Sequence, residues 1–328
     1  MHILILGAAG MIGRKLVDRL VSDGRLGDQA VTQLTLADVI AAPSPAGFAG
    51  TVDSRAVDLS SDHVAADLVA GRPDVIFHLA AIVSGEAEAD LETGYRVNLD
   101  GTRSLFDAIR LQGAESGWRP RVVFSSSNAV FGGPLPGVIG DDYVVTPQTS
   151  YGTQKLIGEL LLADYSRRHI FDGIGLRLPT ICVRPGKPNR AASSFFSGII
   201  REPLAGQEAI LPVADTVRHW MTSPRSAIGF LLHAATLDLA RVGERPNLTM
   251  PGLSVTVAEQ IEALRRIAGD RTVALIRREP DPVIERIVGG WAQAFEAGQA
   301  RALGFTAETR FDDIIQAHID DELGGHIG

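Results

Sequence analysis

A tyrosine and a lysine four positions apart are the side chains in this 328-residue chain best suited to moving a proton. Tyr151 and Lys155 begin a strongly helical segment, where a spacing of four places both side chains on one face. A free tyrosine, with a pKa of about 10, is a poor base at neutral pH. A fixed ammonium beside it favours the phenolate and lowers that pKa, so the pair predicts a general base. The alternative is an ordinary pair on a helix surface, for which the same spacing is common.

Three consecutive hydroxyl side chains follow an apolar run, residues 122–124, that we predict to be a strand. Ligands of open α/β sheets bind beyond the carboxyl ends of the strands, where Ser125, Ser126 and Ser127 would lie. Buried hydroxyls without a partner are costly. We therefore expect Ser127 beside a substrate oxygen and Ser125 near a cofactor. A serine-rich turn that caps its own backbone is the alternative.

Residues 7–13 lie between an apolar run and a helix-period segment, and have the sequence Gly-Ala-Ala-Gly-Met-Ile-Gly. Glycines at this spacing allow a tight turn, a close approach of the backbone to a pyrophosphate, and close packing of helix on strand. The N–H groups at the start of the helix would then face the phosphates. Alternatively, the glycines serve the turn alone. The predicted phosphate-binding residues are Gly7, Gly10, Met11, Ile12 and Gly13.

Acidic residues close the next two predicted strands. Asp38 follows the strand at 34–36, and a carboxylate there can accept both hydroxyls of an adenosine ribose while repelling a 2′-phosphate. This favours NAD over NADP as the cofactor. Asp58, with Leu59, closes the third strand, where it would be within reach of the adenine amino group. Both aspartates would also suit solvated strand ends or turns.

Short apolar runs alternate with helix-period segments through the first half of the chain. This alternation predicts an α/β fold, in which helices cover both faces of a doubly wound parallel sheet. The predicted strands are residues 3–6, 34–36, 55–57, 75–79, 122–124 and 175–178, and the predicted helices are residues 11–20, 63–69, 99–111 and 155–165.

After Pro179 the pattern becomes less regular, beginning with a stretch rich in proline and glycine at 184–189. We predict a nucleotide-binding (Rossmann) domain over residues 1–180 and a smaller, mixed substrate lobe over residues 181–328, with the chain free to cross between them. The helices predicted in the second lobe are residues 195–200, 225–235 and 257–267, and its strands are residues 209–213 and 272–276.

The composition is that of a globular chain, with 45% hydrophobic and 21% charged residues. Its net charge of −8, without a basic run, argues against a nucleic-acid partner or an anionic membrane surface. A single cysteine, Cys182, excludes an intrachain disulfide, and no spacing of histidine and cysteine suits zinc, so we expect no metal. No apolar run is long enough to span a membrane, and we expect a cytoplasmic protein.

Together these motifs resemble the extended type of the short-chain dehydrogenase/reductase superfamily, which includes NAD-dependent epimerases and dehydratases. The resemblance implies an NAD-dependent enzyme in which Ser127, Tyr151 and Lys155 form the catalytic group, the last two also contacting the cofactor. It also implies a homodimer built on the helices at 99–111 and 155–165. The residues implied to line the cofactor are Leu79, Ala80, Asn98 and Ser125. The matching stretches are residues 7–13, 38, 58–59, 78–81, 97–102, 124–132 and 151–155.

Two departures separate this chain from the sugar-nucleotide epimerases of that superfamily. Residues 178–186 stand in place of an Asn-x-Tyr-Gly-type segment, and residues 218–225 in place of an Asp-aromatic-x-His stretch. Six further stretches of the chain carry a different similarity, at residues 78–85, 146–154, 184–192, 198–206, 250–257 and 279–291. They resemble D-erythronate dehydrogenases, and this similarity runs nearly end to end. It implies NAD-dependent oxidation of the C2 hydroxyl of a small sugar acid, from D-erythronate to 2-oxo-D-erythronate.

A carboxylate substrate needs a cationic clamp that can make paired hydrogen bonds, for which arginine is suited. Arg184 and Arg218 lie in segments expected to overhang the nicotinamide, although surface or interlobe ion pairs would explain them equally well. Lys187 and Asn189 are weaker candidates. The other predicted substrate residues are Ser84, Ser127, Asn128, Tyr151 and Thr180. Packing or the fold alone accounts for the residues His78, His219 and Trp220.

Two other functions stay open for this sequence. An NAD-retaining sugar-nucleotide epimerase or dehydratase on the same fold would return the hydride to its substrate and yield no net NADH. A non-catalytic dinucleotide sensor would bind the cofactor without turnover. Such sensors typically lose the phenol or the ammonium, whereas this chain has both Tyr151 and Lys155.

Overall fold

The computed structural model describes residues 1–186 and 192–328, which form two compact units. The first unit comprises Met1–Val130, Thr149–Arg177 and Ile228–Leu248, and the second comprises Phe131–Gln148, Leu178–Ala227 and Thr249–Gly328. This partition departs from a single boundary near residue 180 in two places. Residues 131–148 belong to the second unit, and residues 228–248 belong to the first.

The strands and helices have the following bounds. The strands are β1 (His2–Leu6), β2 (Arg25–Leu26), β3 (Gln29–Ala30), β4 (Gln33–Asp38), β5 (Thr51–Ala56), β6 (Val75–His78), β7 (Arg121–Ser127), β8 (Asp172–Leu178), β9 (Thr180–Ile181), β10 (Ala209–Leu211), β11 (Arg218–Thr222), β12 (Asn247–Thr249), β13 (Leu253–Thr256) and β14 (Ile276–Arg278). The α-helices are α1 (Met11–Asp23), α2 (Val64–Val69), α3 (Ser84–Ala89), α4 (Leu91–Tyr95), α5 (Gly101–Ser116), α6 (Ser150–Arg167), α7 (Ser194–Leu204), α8 (Pro224–Thr236), α9 (Val257–Val273), α10 (Pro282–Gly289), α11 (Gly298–Ala302) and α12 (Phe311–Glu322). A π-helix covers Arg96–Asp100, and 3₁₀ turns cover Asn128–Val130 and Leu239–Arg241.

Within the described residues, seven strands form one sheet in the order β12-β8-β7-β6-β1-β4-β5. The pairings of β1 with β4 and β6, of β4 with β5, and of β6 with β7 are parallel. Residues 3–6 of β1 are all buried, as expected of a strand in a sheet covered on both faces. The predicted α/β fold with a doubly wound parallel sheet is confirmed.

The strand register brings the carboxyl ends of four strands to one edge of this sheet. Leu6 of β1 pairs with Ala37 of β4 and with His78 of β6. His78 in turn pairs with Phe124 of β7. The glycine turn after β1, Asp38 and the serines that end β7 therefore share that edge.

The core of the first unit joins the sheet to helices α2, α5 and α6. Phe106 of α5 packs against Phe171, with ring centroids 4.9 Å apart. Leu162 of α6 and Phe124 of β7 are buried in the same cluster. Burial of these large apolar side chains holds α6 against the sheet, and α6 carries Tyr151 and Lys155.

The second unit is mixed in character. β13, β11 and β9 form one sheet, in which β11 is antiparallel to β13 and parallel to β9, while β10 pairs with β14. Its core packs α7, α9 and α12 around buried residues such as Phe196, Leu264 and Ile315. No helix within residues 1–186 and 192–328 is both long and apolar enough to cross a membrane.

The strand predicted at residues 272–276 is wrong. Helix α9 extends to Val273, and the strand β14 covers Ile276–Arg278 instead. Gly269, with a φ of 82°, breaks the helix, and the chain then returns to helical geometry, where Thr272 donates from Oγ1 to the Ala268 carbonyl at 2.9 Å. A short apolar run can belong to a helix end as well as to a strand, and periodicity alone does not separate them.

Candidate active site

The turn after β1 leaves no room for a side chain at two of its glycines. Gly7 has a φ of +86°, and a Cβ there would lie 2.7 Å from the backbone nitrogen of Ala80. A Cβ on Gly13 would lie 2.1 Å from the Gly7 carbonyl oxygen, so α1 packs directly on the turn. Gly10 caps α1 without a side-chain hydrogen bond, which leaves the first N–H groups of the helix to an anion. The helix starts with Met11 and Ile12.

Asp38, at the end of β4, is oriented by two backbone N–H groups. Its Oδ2 accepts from Ala9 N at 2.9 Å, and its Oδ1 accepts from Val39 N at 2.7 Å. These bonds hold the carboxylate against the glycine turn while the residue stays partly exposed. A carboxylate held in this way suits ribose hydroxyls and repels a 2′-phosphate.

A cavity of about 360 Å³ lies beside this turn. Its walls also include Val39 and Ile40, exposed apolar side chains that no sequence motif indicated. The cavity, the positions closed to a Cβ and the fixed carboxylate together fit a bound dinucleotide. The predicted cofactor residues that line the cavity are Gly7, Gly10, Asp38, Asp58, Leu59, Leu79 and Ala80.

Asp58 is held by neighbouring donors. Its Oδ1 accepts from the backbone N of Ser60 at 2.9 Å and from its Oγ at 2.6 Å, and its Oδ2 pairs with Arg96 at 2.7 Å. Burial alone would raise the pKa of Asp58, but the bonds from Ser60 and Arg96 lower it below the usual value. An ionised carboxylate therefore faces the cavity as an acceptor.

Helix α6 starts at a threonine cap, since Thr149 Oγ1 accepts from Gly152 N at 3.1 Å. Tyr151 lies in the first turn of the helix, and Lys155 follows one turn later. The Lys155 Nζ atom lies 5.8 Å from the centroid of the Tyr151 ring and donates to the Ser125 carbonyl oxygen at 2.8 Å. The phenol and the ammonium therefore share one face of the helix, as their spacing predicted.

Burial lowers the pKa values of two bases in this region, Lys155 and His78. Burial lowers the pKa of Lys155 to about 8, although the charge of Glu159, one turn further along α6, raises it in part. Burial, together with the charge of Lys155, lowers the pKa of His78 to about 3. His78 is therefore neutral near pH 7, whereas Lys155 is still mostly an ammonium. That ammonium, poorly hydrated, would interact strongly with a neighbouring phenolate.

The three serines at the end of β7 have three different partners. Ser125 donates from Oγ to the His78 carbonyl at 3.1 Å, and Ser126 donates from Oγ to Glu159 Oε1 at 2.5 Å. Ser127 instead accepts at Oγ from Ala129 N at 3.1 Å. Accepting this bond leaves the O–H of Ser127 able to donate. The hydroxyl of Ser125, expected near the cofactor, is buried against β6.

Asn98, also expected to line the cofactor, is buried and bonded to protein groups. Its Oδ1 accepts from Ile82 N at 2.9 Å, and its Nδ2 donates to the Ile82 carbonyl at 3.2 Å and to Gln154 Oε1 at 2.8 Å. The side chain thus holds the loop that follows β6. Asn98 acts on the cavity through that loop, in which Leu79 and Ala80 form part of the wall.

Two of the predicted substrate residues, Ser84 and Asn128, belong to the first unit. Ser84 is half-buried at the first position of α3. Asn128 follows Ser127 directly, and its Oδ1 is buried without a hydrogen-bond partner among the described residues. A buried acceptor without a donor is costly, and a ligand hydroxyl would relieve that cost.

Thr180, a further predicted substrate residue, lies in the second unit. Its Oγ1 is 2.7 Å from Nε2 of His219, and burial lowers the pKa of His219 to about 4. The His219 ring also stacks on Phe196, with centroids 5.0 Å apart and planes inclined by 4°. His219 therefore packs as expected, and in addition it orients the hydroxyl of Thr180.

The two predicted carboxylate-binding arginines differ in their partners. Arg218 donates from Nη1 to the Ser254 carbonyl at 2.9 Å and forms a partly exposed ion pair with Glu259 at 3.4 Å. Arg184 donates from Nε to the Ile181 carbonyl at 3.2 Å and is half-buried. Arg218 thus has the surface ion pair that was the alternative explanation. The weaker candidates Lys187 and Asn189 lie outside the described residues.

Comparison with known proteins identifies the family. Residues 3–237 match the NAD dependent epimerase/dehydratase family. The chain belongs to that family. Its predicted membership of the extended short-chain dehydrogenase/reductase superfamily and its use of NAD are confirmed.

Two relatives and one solved structure are similar over almost the whole chain. D-erythronate dehydrogenase of Cupriavidus necator is 48% identical over 98% of both chains. D-erythronate dehydrogenase of Haemophilus influenzae is 38% identical, covering 98% of this chain and 100% of the relative. The crystal structure of the nucleoside-diphosphate-sugar epimerase from Agrobacterium tumefaciens is 65% identical, with a TM-score of 0.99, covering 100% of this chain and 96% of that one. This member of the NAD dependent epimerase/dehydratase family is an NAD-dependent dehydrogenase.

Sequence reasoning missed two buried polar residues of this dehydrogenase. Gln154 binds Asn98, and Glu159 binds Ser126. Glu159 follows Lys155 by four positions, the same spacing that relates Tyr151 to Lys155. Helical periodicity could therefore have placed Glu159 on the same face of the helix. Gln154 carried no comparable signal.

Proposed function

We propose that this dehydrogenase oxidises the C2 hydroxyl of a small sugar acid, D-erythronate, to 2-oxo-D-erythronate. Two relatives of nearly full length bear the name D-erythronate dehydrogenase, which supports this substrate class. The single observation that carries the proposed chemistry is the buried ammonium of Lys155. It shares a helix face with the phenol of Tyr151 and binds the strand end that carries Ser127.

In the proposed mechanism, Tyr151 acts as a phenolate and takes the proton of the C2 hydroxyl. Lys155 stabilises that phenolate and binds the nicotinamide ribose. Ser127 donates its hydroxyl to the substrate oxygen as that oxygen becomes a carbonyl. NAD, when bound, supplies the nicotinamide C4 that accepts the hydride.

Substrate recognition is proposed to rest on one arginine and several neutral polar groups. We assign the substrate carboxylate to Arg184, because its side chain is half-buried and is held by the Ile181 carbonyl, next to Thr180. The orphaned Oδ1 of Asn128 favours a contact with a substrate hydroxyl next to Ser127. The remaining proposed hydroxyl-binding residues are Ser84 and Thr180.

We also propose a cytoplasmic homodimer that acts in sugar acid catabolism. Leu111 of α5 and Leu160 of α6 are 58% and 62% exposed, and a second copy of the chain would cover such apolar side chains. NAD and the catalytic group are assigned to the first unit, and the second unit contributes the proposed substrate residues Thr180 and Arg184.

The test is an assay with NAD and D-erythronate, followed at the NADH absorbance band. We expect NADH to accumulate with D-erythronate and much more slowly with its C2 epimer, which serves as the matched control. Absence of NADH with D-erythronate and with other four-carbon sugar acids would refute the proposed substrate class.

A nucleotide-sugar epimerase is the second candidate, because the 65% identical solved structure carries that title. It predicts interconversion of a sugar nucleotide without net NADH. Incubation with UDP- and dTDP-sugars, analysed for the epimer, separates the two functions. Epimer formation together with no NADH from sugar acids would favour the epimerase.

A further inference from the structure

A buried ion pair lies behind the proposed catalytic lysine. Glu159 is 1% exposed and Arg177 is 12% exposed. Arg177 donates from Nη2 to Oε2 at 2.7 Å and from Nε to Oε1 at 2.9 Å, so the pairing is bidentate. Buried ion pairs seldom add to stability once their desolvation is counted. Stability alone therefore does not explain the buried carboxylate of Glu159, which lies one helical turn from Lys155.

The same carboxylate fixes the strand end beside Lys155. Ser126 donates from Oγ to Glu159 Oε1 at 2.5 Å. Ser126 lies between Ser125, whose carbonyl accepts from Lys155, and Ser127, the proposed donor to the substrate oxygen. The hydrogen bond that Glu159 accepts from Ser126 thus sets the position of two groups that the proposed chemistry uses.

Glu159 also acts on Lys155 through its charge. The titratable groups that face Lys155 are Tyr151 and Glu159 on α6 and His78 on β6, with Arg177 of β8 behind Glu159. The negative charge of Glu159 raises the pKa of Lys155 and opposes the effect of burial. An ammonium so deeply buried needs such a counter-charge near it.

We propose that Glu159 is a positioning residue that keeps Lys155 protonated through its charge and aligns Ser125 and Ser127 through Ser126. This inference rests on the proposed roles of Tyr151 and Lys155. It assigns Glu159 two separable effects, one electrostatic and one geometric. Arg177 holds the carboxylate for both.

The electrostatic effect can be measured without cofactor or substrate. The chain contains only three lysines, Lys15, Lys155 and Lys187, so a protein labelled with ¹³C at lysine Cε gives three signals to titrate by NMR. The Lys155 signal is assigned by its loss in Lys155→Met. We expect its midpoint to lie near 8, below the ordinary 10.5 of a lysine, and to fall by about one further pH unit in Glu159→Gln. An unchanged midpoint in that variant would overturn the electrostatic role.

One variant separates the geometric effect of Glu159 from its electrostatic effect, and a second controls for the loss of any carboxylate from helix α6. Ser126→Ala removes the hydrogen bond but keeps the charge, so we expect kcat to fall about tenfold while the Lys155 midpoint stays in place. Unchanged kcat in Ser126→Ala would overturn the geometric role. Asp164→Asn removes a carboxylate from the exposed part of the same helix, and should change neither the midpoint nor kcat.

If Glu159→Gln fails to fold because Arg177 is left buried without its carboxylate, the double variant E159Q/R177Q replaces both charges. The Lys155 midpoint should fall in that variant too, and a midpoint equal to that of the unaltered protein would contradict the inference. Failure of the proposed function is distinct from either result. The unaltered protein would then form no NADH from sugar acids, while the NMR titration would still report on Glu159.

Discussion

The Nζ atom of Lys155 lies 2.8 Å from the carbonyl oxygen of Ser125, so a buried ammonium joins helix α6 to the end of strand β7. Ser127 follows Ser125 by two positions on that strand, and Tyr151 precedes Lys155 by one helical turn. The contact therefore fixes the proposed base and the proposed hydroxyl donor relative to one another.

Replacement of Tyr151 by Phe should abolish the proposed proton transfer and leave the fold intact. We expect kcat to fall by about 10²–10⁴-fold, because the phenol oxygen is lost while the ring and the helix remain. NAD affinity, measured by isothermal titration calorimetry, should change little. Turnover near that of the unaltered enzyme would exclude Tyr151 as the base.

Replacement of Lys155 by Met should inactivate the enzyme and stabilise the apoprotein. The folded-state pKa of about 8 lies below the ordinary 10.5, so near pH 7 the buried ammonium costs stability. We expect the free energy of unfolding in urea to rise by about 2 kcal/mol, which allows for the lost bond to Ser125.

The pH dependence of the stability gained in Lys155→Met tests its cause. As the pH rises above about 8, the folded protein loses the proton of Lys155 more readily than the unfolded chain, and the cost of burial disappears by about 10.5. The advantage of Lys155→Met should therefore be largest below pH 8 and vanish in alkali. A constant advantage of Lys155→Met at all pH values would contradict this explanation.

Replacement of Asp38 by Asn should weaken the preference for NAD. The neutral amide can still accept from Ala9 N, but it no longer repels a 2′-phosphate and accepts ribose hydroxyls less strongly. We expect KM for NAD to rise and measurable turnover with NADP to appear. The ratio of kcat/KM values for the two cofactors is the measurement, and an unchanged ratio would separate Asp38 from cofactor selection.

Much of the first unit could be predicted because its strands and helices have strong local patterns. The buried residues 3–6 and 122–124 lie within β1 and β7, as expected. β5 was predicted only at residues 55–57, although it covers Thr51–Ala56, since this edge strand has no buried apolar run. The local pattern of apolar residues thus locates the central strands of a sheet better than its edge strands.

The partners of individual polar side chains could not be predicted in the same way. Asn98 binds Ile82, 16 positions away, and Ser125 binds the carbonyl of His78, 47 positions away. Which backbone group a buried hydroxyl or amide meets depends on the packing of separate elements. The helical period could indicate Glu159, but only the fold reveals that Arg177 holds it.

Replacement of Gly13 by Ala should distort the glycine turn after β1, which we expect to bind NAD. The added Cβ would lie 2.1 Å from the Gly7 carbonyl oxygen, a backbone atom that cannot move without opening the turn. Gly13→Ala should therefore lose most NAD binding by calorimetry and unfold at a lower temperature. Gly10→Ala, whose Cβ would be 3.3 Å from the same oxygen, should be milder.

Gly229→Ala supplies the matched control for that series. Gly229 lies inside α8, and a Cβ there would meet no atom within 4 Å. Alanine at an unobstructed helical position stabilises by about 0.5–1 kcal/mol. We expect this variant to gain stability and to bind NAD normally. Equal losses in Gly13→Ala and Gly229→Ala would show that close packing at the turn is not the cause.

Two buried histidines should make the protein sensitive to acid. The pKa values of His78 and His219 are lowered by burial to about 3 and about 4, against 6.5 in the unfolded chain. Below pH 6.5 the unfolded chain binds protons that the folded protein excludes, so stability falls as the pH falls, until each folded pKa is reached. Each histidine should contribute about 1.4 kcal/mol per pH unit to this slope.

The variant His78→Gln tests this assignment, because its amide can keep a hydrogen bond to Thr102 but cannot take up a proton. Unfolding free energies measured in urea between about pH 6 and pH 4.5 should fall less steeply in this variant, by the contribution of one histidine. If His78→Gln keeps the full slope, other groups must take up the protons, and the buried imidazole of His78 does not set the acid limit of the fold.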